Sequence, residues 1–127
     1  MTHLVRHLSR RVTSVPGVTE AGSSFGHPTA HWVNGHEIAP LEGDGVVEVR
    51  LTKPLSGDRR RVLKADGRVT LRPSGADWIS VRFDSADDLD FILDLVTLAA
   101  AALRPPPGVA PKPPPTPTEL ERRRRLH

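Results

Sequence analysis

His27, His31, His36 and Glu37 crowd one short stretch of the chain. Imidazole titrates near neutrality and a carboxylate accepts protons, so Glu37 with a histidine partner has the makings of a general base. Burial raises a carboxylate's proton affinity, which suits that role if the fold desolvates Glu37. The candidate catalytic residues are therefore Glu37, His36 and His31. The same residues read H-x₃-H-x₄-H followed by Glu, and both types ligate metals. A strand–turn–strand course does not make His31 and His36 converge, so no metal is expected. His3 and His7 stand one helical turn apart near the terminus and are set aside. No cofactor is expected either. No glycine loop cradles a phosphate, and Ser23 and Ser24 lack the context of a nucleophile elbow. The chain has no cysteine, which removes disulfides, thiolate zinc sites and a cysteine nucleophile. Trp32, Trp78 and Arg50 are the candidate ligand-binding residues, although large aromatics more often anchor a core.

These residues sit on a hairpin whose register decides their roles. "HEIAPLE" and "VVEVRL" flank "GDG" and read as paired strands. A two-residue Asp44-Gly45 turn places Glu37 on the face of Arg50. A three-residue loop, Gly43 to Gly45, instead gathers Ala39, Leu41, Val47, Val49 and Leu51 on one face, with Glu37 among them. One residue of slip exchanges the faces. The second register buries more apolar surface and is the one expected.

Around the hairpin the order is helix, strands, helix. Leu4, Leu8, Val12 and Val15 recur at helical spacing, and Pro16-Gly17 ends that helix. "VTEAGSSFG", "TAHWV", "RRVLKA", "RVTLR" and "DWISVRF" read as short strands. Ser85 and Asp88 resemble a capping box for a last helix carrying Leu89, Ile92, Leu93, Val96, Ala99, Ala100 and Leu103. Its apolar face is wide enough to cover a sheet and also meet the first helix or a second subunit, as in a homodimer. The expected fold is α+β: a two-layer sandwich, with an antiparallel sheet and both helices on one face.

Residues 104–127 form a second region. They hold eight of the 13 prolines and read as a disordered, extended Pro-rich linker ending in a basic tail, detached from the domain. Thr118 is the expected cap of a frayed terminal turn. Six Lys/Arg and two Glu lie there, against 12 Lys/Arg and 13 Asp/Glu in residues 1–103. The net charge of +3 therefore belongs to the tail, and the domain of residues 1–103 lacks the basic balance of a nucleic-acid binder. Nucleic acid is disfavoured as a partner except through the tail. No apolar run reaches membrane-spanning length and the N-terminus is too polar for a secretory signal, so a soluble, cytoplasmic protein is expected.

The order "SVPGVTEAGSSFGHP", "VNGHEIAPLEGDGVVEVRL", "SGADWISVRFDSADDLDFILDLVTLAAAAL" resembles the small bacterial luciferase-domain proteins, a family that includes fungal luciferase. "PGV", "G-x-E-I-A" and "D-W-x-x-V" before a helix carry the likeness, over roughly residues 12–103. The fungal member oxidises a hydroxylated pyrone with molecular oxygen and uses neither metal nor flavin. The resemblance implies Glu37 as a site residue. It also implies a histidine after "E-I-A", where this chain has Pro40, a departure that argues against a shared reaction. A fainter similarity is to the MmcQ/YjbR-like proteins.

Three functions follow, in order. The first is a non-catalytic binding or interaction module for a small molecule or protein. The second is a cofactor-independent oxygenase acting on an enolic substrate. The third is non-specific nucleic-acid binding through the tail.

Overall fold

The computed structural model describes residues 2–24, 29–41, 45–71 and 77–125. Helix α1 (Thr2–Thr13) buries Leu8 and Val12 completely and leaves its arginines outward or half-covered. Strands β1 (Thr19–Ala21), β2 (Ala30–Val33) and β3 (His36–Glu37) form one antiparallel sheet in that order. Strands β4 (Val46–Arg50), β5 (Val69–Leu71) and β6 (Trp78–Arg82) form another, with β6 in the middle.

The backbone joins the two sheets. Ile38 N–H donates to His31 O at 2.8 Å, and Arg50 N–H donates to Ile38 O at 2.9 Å. A bridge then pairs Leu41 with Val47. Pairing 41 with 47 and 38 with 50 is the register of the three-residue loop, as the apolar pattern favours. The loop itself, Glu42 to Asp44, lies outside the described residues, as does His27. Ile38, Ala39, Leu41, Val47, Val49 and Leu51 all enter the main core.

Helix α4 (Ala86–Leu103) buries Leu89, Ile92, Leu95, Val96, Ala99 and Ala100 against α1 and β4. Each large side chain so buried contributes about 1.5–3 kcal/mol over its exposed state. On β6 the alternation resolves cleanly: Ile79 and Val81 are buried, and Trp78, Ser80 and Arg82 turn outward. The fold is α+β, with both long helices contributing to the one large core.

Three local expectations are corrected. "RRVLKA" is not a strand. Helices α2 (Lys53–Asp58) and α3 (Arg60–Ala65) fill that stretch. Only Leu63 of α3 is buried, while Val62 is 71% exposed, so a single helical contact point replaces an alternating face. At the start of α4, the Ser85 hydroxyl makes no capping bond, and Asp88 accepts from the Asp84 N–H at 2.9 Å. The cap of the terminal helix α5 (Pro117–Arg125) is Thr116 rather than Thr118. The Thr116 hydroxyl accepts from the Glu119 N–H at 3.2 Å and donates to its carboxylate at 3.1 Å, with Pro117 at the first helical position.

The C-terminal region also differs from a detached linker. Residues 105–125 fold back as an arm along the first sheet. Leu120 of α5 is buried with Ala30 and Trp32, and Pro115, just before the helix, is also buried. Proline fixes the extended course without needing sheet hydrogen bonds, and Leu120 on the capped helix is the arm's buried large apolar anchor.

Candidate functional site

The β2–β3 connection is a two-residue turn, Asn34-Gly35, with φ of 49° and 78°. Asn-Gly is the strongest sequence signal for such a turn, because both positions need φ above zero. The turn pairs Val33 with His36 and Trp32 with Glu37. Residues paired across antiparallel strands share a face, and neighbours along a strand do not. Glu37 therefore stands beside Trp32, under the arm, and His31 points the other way, toward α1. The expected Glu37–His31 partnership does not form.

Glu37 is only 4% exposed and both of its carboxylate oxygens accept hydrogen bonds. The Ser23 hydroxyl donates to Oε2 at 2.6 Å, the Ser24 N–H donates to Oε1 at 2.9 Å, and the Ser24 hydroxyl also donates to Oε1. These serines were considered only as nucleophiles in the sequence. Their role is to cradle a buried charge through hydrogen bonds to its ionised form. Glu37 also does not lie on the main core face, as the hairpin pattern alone implied. Ile38 and Ala39 both enter that core, so the pleat alternation breaks directly after Glu37. Pro40, which has no N–H to donate, follows and is buried.

His31 is fully buried. Its Nδ1 lies 2.9 Å from Ala39 O, and a carbonyl only accepts, so Nδ1 carries the proton. Nε2 then accepts from the Ser9 hydroxyl at 3.3 Å. The Ser9 hydroxyl also lies 3.3 Å from Glu20 Oε2, so its one proton is shared between imidazole and carboxylate. Burial pushes the His31 pKa below the ordinary value, only partly opposed by the Ala39 carbonyl, Glu20 and Ser9. His31 is thus a neutral core histidine joining α1 to the sheet.

The remaining candidates separate into three places. Arg50 and Trp78 are paired across β4 and β6, with the guanidinium 5.9 Å from the indole centroid. Arg50 also donates to Asp77 at 3.3 Å. Trp32 donates its indole N–H to Gly22 O at 3.0 Å and is covered by Leu120. His36 is half-buried and borders a groove of about 230 Å³ with Asn34, Gly35, Lys112, Pro113, Pro115, Glu119 and Arg123. Its pKa is lowered first by burial, then by Arg50 and Lys112. A second groove of about 340 Å³, near the start of α4, is lined by Gly45, Val46, Arg68, Arg82, Phe83, Asp84 and Asp88. Arg68 there is held by Asp66 at 2.8 Å and Asp88 at 3.0 Å and stacks 4.1 Å from the Phe91 centroid. Neither groove is lined by Glu37, His31 or Trp32. Among the described residues, no group of three metal-ligating side chains converges, and no helix is long and apolar enough to cross a membrane.

A family model for the luciferase domain matches residues 35–99. No curated protein and no solved structure matches the chain. The matched span opens at Gly35 in the turn and includes His36, Glu37 and all of the second sheet. It leaves out α1, β1, β2 and the arm, and with them His31 and Trp32.

Proposed function

The chain belongs to the luciferase-domain family, whose model covers just over half of it, and from that membership we propose a non-catalytic binding module. One observation carries the reading. The family-implied Glu37 carboxylate has both oxygens bound to Ser23 and Ser24, and among the described residues no histidine is hydrogen-bonded to it. A general base needs a free lone pair within reach of a substrate proton. Here three donors occupy most of the carboxylate's roughly four acceptor sites, hold the strand end to the segment after β1, and leave the group buried. Pro40, in place of a histidine, supports the same conclusion. Binding then falls to the groove at the Asn34-Gly35 turn, which the arm completes. The absence of cysteine supports a reducing, cytoplasmic setting.

The test is oxygen uptake by the full chain with a hydroxylated pyrone, the class of substrate that the resemblance to fungal luciferase implies. The expected trace matches buffer alone. Uptake that Glu37→Gln abolishes would overturn the reading in favour of a cofactor-independent oxygenase.

A further inference from the structure

The groove at the turn has a charge pattern that the fold does not use. One wall is Asn34, Gly35 and His36, and the other is Lys112, Pro113 and Pro115 with Glu119 and Arg123 of α5. The walls are tied by Asn34. Its side-chain N–H donates to Leu103 O at 3.2 Å, and its side-chain oxygen accepts from the Lys112 N–H at 2.8 Å. Gly35 permits the close approach. A Cβ built there would stand 3.2 Å from the Lys112 Cβ, on a backbone with φ of +78°.

Among the described residues, the side chains of His36, Lys112 and Arg123 make no hydrogen bond or ion pair. This contrasts with Arg50, Arg68 and Arg125, each held by a carboxylate. The one carboxylate in the groove, Glu119, is drawn toward its own helix cap by the Thr116 hydroxyl. Two fixed cations and an imidazole therefore face a small space with one engaged carboxylate. Burial and the nearby Arg50 and Lys112 lower the His36 pKa, and Glu119 offsets only one of the two cations, so the groove keeps a net positive charge. At about 230 Å³ it falls below the roughly 300–1,000 Å³ of drug-sized sites. A compact ligand fits that size.

We propose that this groove binds a phosphate-type oxyanion, with Lys112 and Arg123 supplying the charge and His36 a further hydrogen bond. Resting on the binding-module reading, the assignment names the ligand class. Guanidinium and ammonium groups are the usual donors to such oxygens. Because the cations belong to the arm and His36 to β3, a bound anion bridges arm and sheet. Anion binding and arm docking therefore strengthen one another reciprocally.

The experiment follows the His36 ring by NMR in the full chain, its signal assigned by loss in His36→Gln. Inorganic phosphate and glycerol 3-phosphate are titrated separately against chloride at matched ionic strength. A saturable shift with either anion is expected, together with a rise in the His36 pKa. Tighter binding of glycerol 3-phosphate identifies an organic phosphomonoester as the occupant, and equal binding identifies free phosphate. Sulfate, whose charge is constant across the range, binds more tightly below the ordinary histidine range than above it. The double variant Lys112→Gln, Arg123→Gln weakens binding at least tenfold. Arg122→Gln, outside the groove on the same helix, leaves it unchanged. No saturable shift beyond chloride, or equal affinity in the double variant, overturns the assignment. That failure beside a silent oxygen trace leaves the non-catalytic reading standing, whereas oxygen uptake overturns that reading whatever the anion result.

Discussion

Glu37→Ala isolates the structural role assigned to the carboxylate. The substitution removes the carboxylate that the fully buried Ser23 hydroxyl and the Ser24 N–H donate to. Each unsatisfied buried donor costs about 1–3 kcal/mol. The half-buried Ser24 hydroxyl can turn to water and adds little. Against this, removing a buried charge relieves its desolvation. The balance is a loss of about 2–3 kcal/mol, or about 8–12 °C in Tm for a chain of this size. Urea unfolding of the wild type, Glu37→Ala, Ser23→Ala and the double variant completes a cycle. A coupling energy of about 1 kcal/mol or more between the two positions is expected, since they share one bond. A Glu37→Ala loss below about 0.5 kcal/mol, the ordinary range for surface changes, would refute the claim that this carboxylate is engaged in holding the fold.

The buried His31 makes stability depend on pH. Its folded pKa lies below the unfolded value of about 6.5, so the unfolded chain binds the proton more readily. Stability is complete above that value and is lost as pH falls below it, by at most about 1.4 kcal/mol per pH unit. His36 adds a contribution of the same sign. The Asp88 carboxyl, lowered to about 2 chiefly by the Asp84 N–H, acts in a separate and more acidic window. The urea midpoint followed against pH should fall through the first window and fall less steeply there in His31→Gln. An unchanged slope in that variant would remove His31 from the account. Leu120→Ala should free the arm, because that side chain is its buried anchor on Trp32. The expected readouts are a red-shifted tryptophan emission and faster tryptic cleavage within Arg122–Arg125, at a cost of about 2 kcal/mol. Unchanged emission and cleavage would mean the arm is held elsewhere.

Much of this fold was legible in the residues. The stripe from Leu89 to Ala100 announced α4, and the apolar count favoured the register that pairs Leu41 with Val47. Legibility failed where one contact outweighed a pattern. "RRVLKA" looked β-like because Val62 and Leu63 are adjacent, yet only Leu63 meets the core. The arm looked detached because its composition is mostly proline and charge. The Thr116-Pro117-x-Glu119 cap and the single Leu120 carried the opposite signal. The Asn34-Gly35 turn was plain in the sequence and was overlooked beside Asp44-Gly45. The site was less legible still. Glu37 stood out, but its partners lie 13 and 14 residues earlier in the chain. No spacing rule links a strand carboxylate to such distant serines. The division between Trp32 and His31 follows from strand alternation alone, but which face held Glu37 required the turn.

The sheet order has a consequence for how this protein behaves at high concentration. Through the backbone bonds at Ile38, the two sheets run together from β1 at one border to β5 at the other. Both border strands have three residues. A foreign strand would find few free amides in a row at either side, and the longest strands, β4 and β6, lie inside. Short outer strands are one means by which natural sheets resist stacking edge to edge into aggregates. A substitution that lengthened β1 or β5 would remove that protection before it disturbed the core.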